Sequence, residues 1–256
     1  MFSAKYFIFD GQMSANYGLQ IVDFDDNAVK EIDAFSPTLS LQKVPGLLRF
    51  FHGGVEYDSA PTCEFSVLSE TEIPAVLRSE ILSWLVGRNS FKEIQFVEGD
   101  ADEYVYRCVF TSVKTIRVNG RCYGFRLTAQ FDTPYARGIP TRVTVEAGTH
   151  NVTINNQSDI IDAYTYPIIT FSGGSVDVVN TTDDPQRHFT FSGLSDAEIV
   201  TVDNEVKHIS SSAGGEKLSN FTSKNWLRLR KGVNVLTIVA SGTVTITCPH
   251  YAMIGF

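Results

Sequence analysis

The chain is poor in the residues that announce chemistry most directly. Only four of its 256 residues are cysteine (Cys63, Cys108, Cys122 and Cys248), and no two stand at CxxC spacing. The expectation is four reduced, mostly buried small hydrophobes, with a Cys108–Cys122 pairing across a predicted hairpin as the alternative. Five histidines (His52, His150, His188, His208 and His250) are scattered singly, none at ligand spacing from a cysteine or another histidine. Cys248-Pro249-His250 comes nearest to a site and reads as a structural strand end. No metal or cofactor is expected.

Long apolar runs are missing too. Nothing approaches the roughly 20 residues of a membrane-crossing helix, and Met1 to Gly11 lacks the charged start, apolar run and small-residue cleavage site of a signal peptide. Folding in a cytoplasm is the expectation. Positive charge is scarce: 21 Lys and Arg stand against 29 Asp and Glu, a net charge of -8. The longest basic patch is Leu227–Lys231, so no nucleic-acid-binding face is expected. A nucleophile elbow, a P-loop, a dinucleotide-binding glycine motif and an HExxH helix are all absent, which removes the commonest enzyme classes.

What is present is β pattern. Tyr6-Phe7-Ile8-Phe9 stops at Asp10-Gly11, and Tyr17 to Val22 reads as a second strand. From Ser36 to Glu64 the prolines and glycines predict a loop-rich stretch with short or irregular strands. Thr71 to Gly87 then predicts the one helix, over about residues 73–86. Pro74 suits its first turn, Glu72 its positive end and Gly87 its stop, and Leu77, Ile81, Trp84 and Leu85 share the face that covers a sheet. Glu93 to Phe96 is a short strand, residues 98–103 form an acidic solvated turn, and Tyr104 to Val113 alternates. Asn119-Gly120 joins Ile116–Val118 to Cys122–Phe131 as a hairpin.

Thr133 to Thr141, with Pro134, Gly138 and Pro140, is the predicted boundary between two domains, 1–136 and 137–256. Beyond it come short helix-free strands: Arg142–Glu146, Asn151–Asn155, Pro167–Phe171, Ser175–Val179, His188–Phe191, Glu198–Val202, Trp226–Leu229, Asn234–Val239 and Thr243–Thr247. That rhythm predicts a jelly-roll β-sandwich. The fold class is mainly β: an N-terminal β-sandwich-like domain with one amphipathic helix, then a C-terminal galectin-like or jelly-roll sandwich.

Two patterns could carry chemistry. Asp183-Asp184, Asp196-Glu198 and Asp203-Glu205 are the carboxylate pairs a glycosidase would need, but all three fall at predicted turns, where Asp serves the backbone. Trp226 and Tyr251, with Tyr164 and Tyr166, could form a saccharide-stacking platform, although aromatic strand residues usually fill cores.

Taken in order, the motifs resemble the distal tail protein (Dit) family of bacteriophages with long non-contractile tails. The resemblance rests on Phe9-Asp10-Gly11, Tyr17-Gly18-Leu19, Leu77-Arg78 through Trp84-Leu85, the acidic turn before Tyr104, Phe125 to Phe131 closing with Pro134-Tyr135-Ala136, Pro167-Ile168-Ile169, Val202-Asp203-Asn204, and Trp226 to Asn234. It implies a non-enzymatic virion protein, made in the host cytoplasm, whose N-terminal domain forms a homohexameric ring with a central channel. Its implied partners are the tail tube protein, a tail-tip or tail-associated lysin protein, and in some phages a receptor-binding protein. No membrane partner and no specific nucleic-acid binding are implied. Two departures stand out. After Val44-Pro45-Gly46 many relatives continue Arg-Asp-Gly, where this chain has Leu47-Leu48-Arg49, and the galectin Trp-x-x-Glu is replaced by Trp226-Leu227-Arg228-Leu229. The second speaks against galactoside recognition. A carbohydrate-binding module for host cell-wall saccharide, carried by residues 138–256, is the alternative reading.

Overall fold

Alternating buried and exposed side chains run through most of the chain and make it a β protein with one α-helix among the described residues. The computed structural model describes residues 4–23, 38–43, 45–46, 48–56, 61–160 and 163–253. It divides into two units, Met1–Ala136 with Met253–Phe256, and Arg137–Ala252.

In the first unit, β1 (Tyr6–Phe9) buries Phe7 and Phe9, and a turn at Asp10-Gly11 returns it into β2 (Gln12–Met13). The predicted strand over 17–22 is shorter than expected. Ser14–Tyr17 is a 3-10 turn, because the Ser14 hydroxyl accepts the Phe7 N–H (3.2 Å) and Gly18 closes the turn, so β3 covers only Gln20–Val22. The stretch read as loop-rich contains β4 (Thr38–Lys43) and β5 (Phe50–Glu56), paired as a hairpin around Pro45-Gly46, and then β6 (Thr62–Leu68). The rest of that reading, at residues 36–37, 44, 47 and 57–60, lies outside the described residues, and with it part of the departure at residues 44–49.

The helix α1 (Ala75–Val86) starts a little later than predicted. Pro74 is its extended cap, and Glu72 lies outside it, 3.4 Å from Arg121 instead. Ile81, Trp84 and Leu85 are buried and Leu77 packs beside them, yet Val76 and Val86 face solvent, so apolar residues are not confined to one stripe. Trp84 is the anchor. It stacks on Phe7 (5.5 Å, 6°) and Tyr17 (5.0 Å, 29°), and its Nε1–H donates to the Phe9 carbonyl (2.9 Å). That bond satisfies the indole's polar atom inside an aromatic core.

Strands β7 (Lys92–Val97), β8 (Val105–Val118) and β9 (Arg121–Phe131) follow, the last two joined by Asn119 and Gly120 in left-handed conformation. Both residues at positive φ are what a tight two-residue hairpin requires. The antiparallel order is β2-β1-β7-β8-β9-β6-β3, and Ile21 N–H donates to the Lys5 carbonyl (2.8 Å), returning β3 to the beginning of β1. The sheet curls around Phe7, Phe65, Phe96 and Phe110, which meet edge to face. Gly124 permits the close approach of β9 to β6, since a Cβ there would lie 2.0 Å from the Val67 carbonyl oxygen.

The second unit is a sandwich. β10 (Ala136–Val145) enters it, followed by β11 (Gly148–Asn156), β12 (Ile168–Ser172), β13 (Val176–Asn180), β14 (His188–Phe191), β15 (Ile199–Asp203), β16 (His208–Ser211), β17 (Gly232–Ala240) and β18 (Val244–Ala252). One sheet runs β16-β15-β12-β18-β10 and the other β11-β17-β13-β14. Ile169, Phe171, Val200, Val202, Val244 and Ile246 of the first sheet share a core with Ile154, Val178, Phe189, Phe191, Leu236 and Ile238 of the second. Phe221 closes that core, stacked on Phe191 (4.7 Å, 12°).

Three local expectations need correction. Trp226–Leu229 is not a strand: only Leu229 bridges Thr165, while the Asn204 carboxamide oxygen accepts the Leu227 N–H (2.9 Å). β16 carries no strong apolar alternation and was not anticipated. Cys248-Pro249-His250 lies inside β18, which runs on to Ala252.

Candidate functional site

The residues that could do chemistry are committed to structure. All four cysteines are buried and free. Cys108 lies opposite Phe131 and Cys122 opposite Arg117, so the hairpin does not bring the two thiols face to face. Burial pushes the Cys63 and Cys248 thiols up to about 11, and Cys108 upward as well, which suppresses the nucleophilic thiolate. Among the described residues no group of three or more His, Cys, Asp or Glu could hold a metal ion.

The three carboxylate pairs became three tethers. Asp203 Oδ1 accepts the N–H groups of Glu205 (2.9 Å) and Val206 (3.2 Å), the backbone role that turn chemistry anticipates. Glu198 is buried, 2.7 Å from Lys217 Nζ, and accepts the Ser211 hydroxyl; those hydrogen bonds, the lysine's foremost, hold its carboxyl below the usual range. Asp183 is the most enclosed of the three. Arg228 donates to it through Nε (2.7 Å) and a terminal nitrogen (3.1 Å), while Arg230 (3.6 Å) and Arg187 (3.8 Å) stand close by. Burial alone would raise the Asp183 pKa, but the Arg228 hydrogen bonds and charge outweigh it and hold the carboxyl below its ordinary value.

The aromatic candidates are occupied as well. Trp226 is half-buried with its ring against Phe221 (4.9 Å, 63°). Tyr251 is only 8% exposed; its hydroxyl donates to Glu205 (2.7 Å) and its N–H to the Ser158 hydroxyl (3.1 Å). The Arg228 guanidinium covers the Tyr164 ring at 3.8 Å. Among the described residues no ring contact joins Trp226, Tyr251, Tyr164 and Tyr166 into a shared face.

The surface that stands out is the β4–β5 hairpin. It is a two-stranded sheet that pairs with no third strand among the described residues. Leu39 (55%), Leu41 (53%), Phe50 (61%) and Phe51 (66%) are all exposed, and Leu48 is fully so. Phe50 and Phe51 are neighbours on one strand and therefore point to opposite faces, so the hairpin offers apolar groups on both sides. An isolated two-stranded ribbon is marginal in water, and clustered exposed apolar residues mark contact surfaces. The prolines and glycines here predict short or irregular strands, and the hairpin is made of strands of six and seven residues with a register shift between Ser40 and Leu41. The signal available was the apolar alternation of Leu39 and Leu41, followed by Phe50-Phe51.

The two units and this hairpin define a class by fold: a mainly β protein built of two compact units, with one two-stranded ribbon that pairs with no third strand among the described residues. The family comparison is specific. Residues 2–133 match the model of a phage tail protein N-terminal domain and residues 138–248 that of a phage tail C-terminal domain. The chain belongs to this phage tail protein family. Its fold is that of the distal tail protein. The chain is similar to the crystal structure of the Dit protein (gp 19.1) of phage SPP1, described as a paradigm of the hub adsorption apparatus in phages infecting Gram-positive bacteria. The TM-score is 0.68 at 16% identity, covering 96% of this chain and 98% of that one. It is also similar to a chain of the phage p2 baseplate in its activated conformation with Sr, with TM-score 0.54, 11% identity, and 97% and 98% covered. No curated protein matches it significantly.

Proposed function

We propose that this protein is a distal tail hub: six copies close into a ring that joins the tail tube to the tail tip or baseplate and leaves a central channel for DNA. The observation that carries the proposal is the two-unit match over 96% of this chain and 98% of a hub protein. A part-length match could reflect a shared sandwich; a match through both units at once reflects a shared design. In this reading residues 1–136 form the ring and residues 137–256 are a galectin-like domain directed outward. The tail tube protein docks on one face, a tail-tip or tail-associated lysin protein on the other, and a receptor-binding protein at the periphery. The role is structural and not enzymatic, and the working location is the virion tail.

Ring closure suits the chemistry of the N-terminal unit. A head-to-tail contact repeated around a closed cycle uses every copy of an adhesive surface and leaves none free to build fibres. The β4–β5 hairpin, with five large apolar side chains in water, supplies such a surface. The net charge of -8 is compatible with a lumen that passes DNA without retaining it. Negative-stain images of the purified protein test the reading: six-fold rings support it, and isolated single particles at every concentration contradict it. No observation favours the saccharide reading of Trp226 and Tyr251 over the packing roles their rings already have.

A further inference from the structure

The second unit holds a concentration of positive charge that its fold does not fully use. In an acidic chain, Arg187, Arg228 and Arg230 converge on the single carboxylate of Asp183, whose side chain is 3% exposed. Arg228 takes that carboxylate with a two-point bond and sits over the Tyr164 ring, 3.8 Å from its centroid. It is thereby fixed, and Asp183 is neutralised.

Arg187 and Arg230 are the surplus. Each stands within 4 Å of the neutralised carboxylate, from which Asp183 cannot satisfy them, and each remains partly open to solvent (33% and 45% of the side chain). The Arg230 side chain has one long hydrogen bond, a terminal nitrogen 3.5 Å from the Asp184 carbonyl, and stands 5.9 Å from the Tyr164 ring; Arg187 Nε is buried without a hydrogen bond, facing Asp183 at 3.8 Å, which leaves the partly exposed terminal nitrogens of both guanidiniums to donate outward. The nearby Asp184 carboxylate is exposed and forms no ion pair among the described residues, and Lys231 is engaged by Asp159 (3.2 Å). Two guanidinium forks are thus held near one point, backed by a third that is locked in place.

We infer that the Arg187–Arg228–Arg230 cluster is a binding site for a phosphate group, with Arg187 and Arg230 donating to its oxygens and Arg228 and Asp183 holding the frame. Guanidinium forks match the oxygens of a phosphate in pairs. The site is compact. A DNA track would need a row of such cations along a groove, which the net charge and the isolation of this cluster oppose. A phosphate-bearing small molecule or polymer unit fits. The inference does not depend on the hub reading, since a monomer could carry this site equally well.

Isothermal titration of the full-length protein with inorganic phosphate and with glycerol 1-phosphate, at ionic strength held constant with sodium chloride, tests it. Saturable binding is expected, weakened roughly tenfold or more in R187A/R230A. The conservative R187K/R230K, which keeps the charge but loses the forks, should also bind more weakly than the native chain while retaining its circular dichroism and melting temperature. Binding of both probes assigns recognition to the phosphate itself, and binding of glycerol 1-phosphate alone assigns it to the phosphate together with its carrier; either supports the site. No saturable heat with either probe, or equal affinity in the native chain and the folded R187K/R230K variant, overturns it.

Discussion

At the scale of single residues, Asp183 is the position on which most depends. It is enclosed, paired with Arg228 through two hydrogen bonds, and also accepts the Asp184 N–H (3.0 Å). Replacing it with Asn leaves Arg228 half-buried without its counter-charge, and breaking such a pair costs about 3 kcal/mol. We expect D183N to lower the melting temperature of the second unit by roughly 10–20 °C. The sign of the pH dependence follows from the depressed carboxyl. A group ionised more easily in the folded state contributes fully above its unfolded value of about 4 and loses that contribution as the pH falls through its lower folded value. Melting curves of native protein and D183N should therefore differ by a constant amount from pH 7 to about 5 and converge only below about pH 4. The thiols give a second check at this scale. With all four cysteines buried and the Cys63, Cys108 and Cys248 thiols pushed up by burial, a thiol reagent should label the native chain negligibly at neutral pH and label all four once it is unfolded.

At the scale of elements, Trp84 and the β4–β5 hairpin separate stability from assembly. W84A should remove both ring stacks and the indole's hydrogen bond to the Phe9 carbonyl, destabilising the first unit by about 3–5 kcal/mol in denaturant unfolding. F50S/F51S touches neither core, so it should leave the melting temperature within about 2 °C and strongly reduce self-association by sedimentation velocity. The helix was legible because Pro74, Gly87 and the 77-81-84-85 spacing all act locally, as were the hairpin at Asn119-Gly120 and the alternating strands of the second unit. The 3-10 turn at Ser14–Tyr17 was not, since it depends on Ser14 meeting Phe7 across the turn between β1 and β2. Trp226–Leu229 misled for a similar reason: its alternation buries Leu227 and Leu229 as a strand would, but side-chain bonds from Asn204 and one bridge to Thr165 stand in for a ladder. The arginine cluster was visible only as the basic patch Leu227–Lys231. Arg187 and Asp183 reach it from more than 40 residues away, a distance no local pattern encodes.

At the scale of the whole molecule, the chain combines two β-built units, each with its own aromatic core, and an exposed apolar hairpin that pairs with no third strand among the described residues. If the units fold independently, calorimetry should resolve two transitions, with D183N moving only one of them and W84A only the other. In the proposed hub the first unit sets the geometry of the ring and the second presents other contacts. The proposed hub depends on a closed ring. Light scattering on the purified full-length chain across a range of concentrations tests that most directly. A closed ring gives a species of about 170 kDa, six times the 28.4 kDa chain, that does not grow further as concentration rises. A mass of one chain throughout, or open-ended growth with concentration, would contradict it.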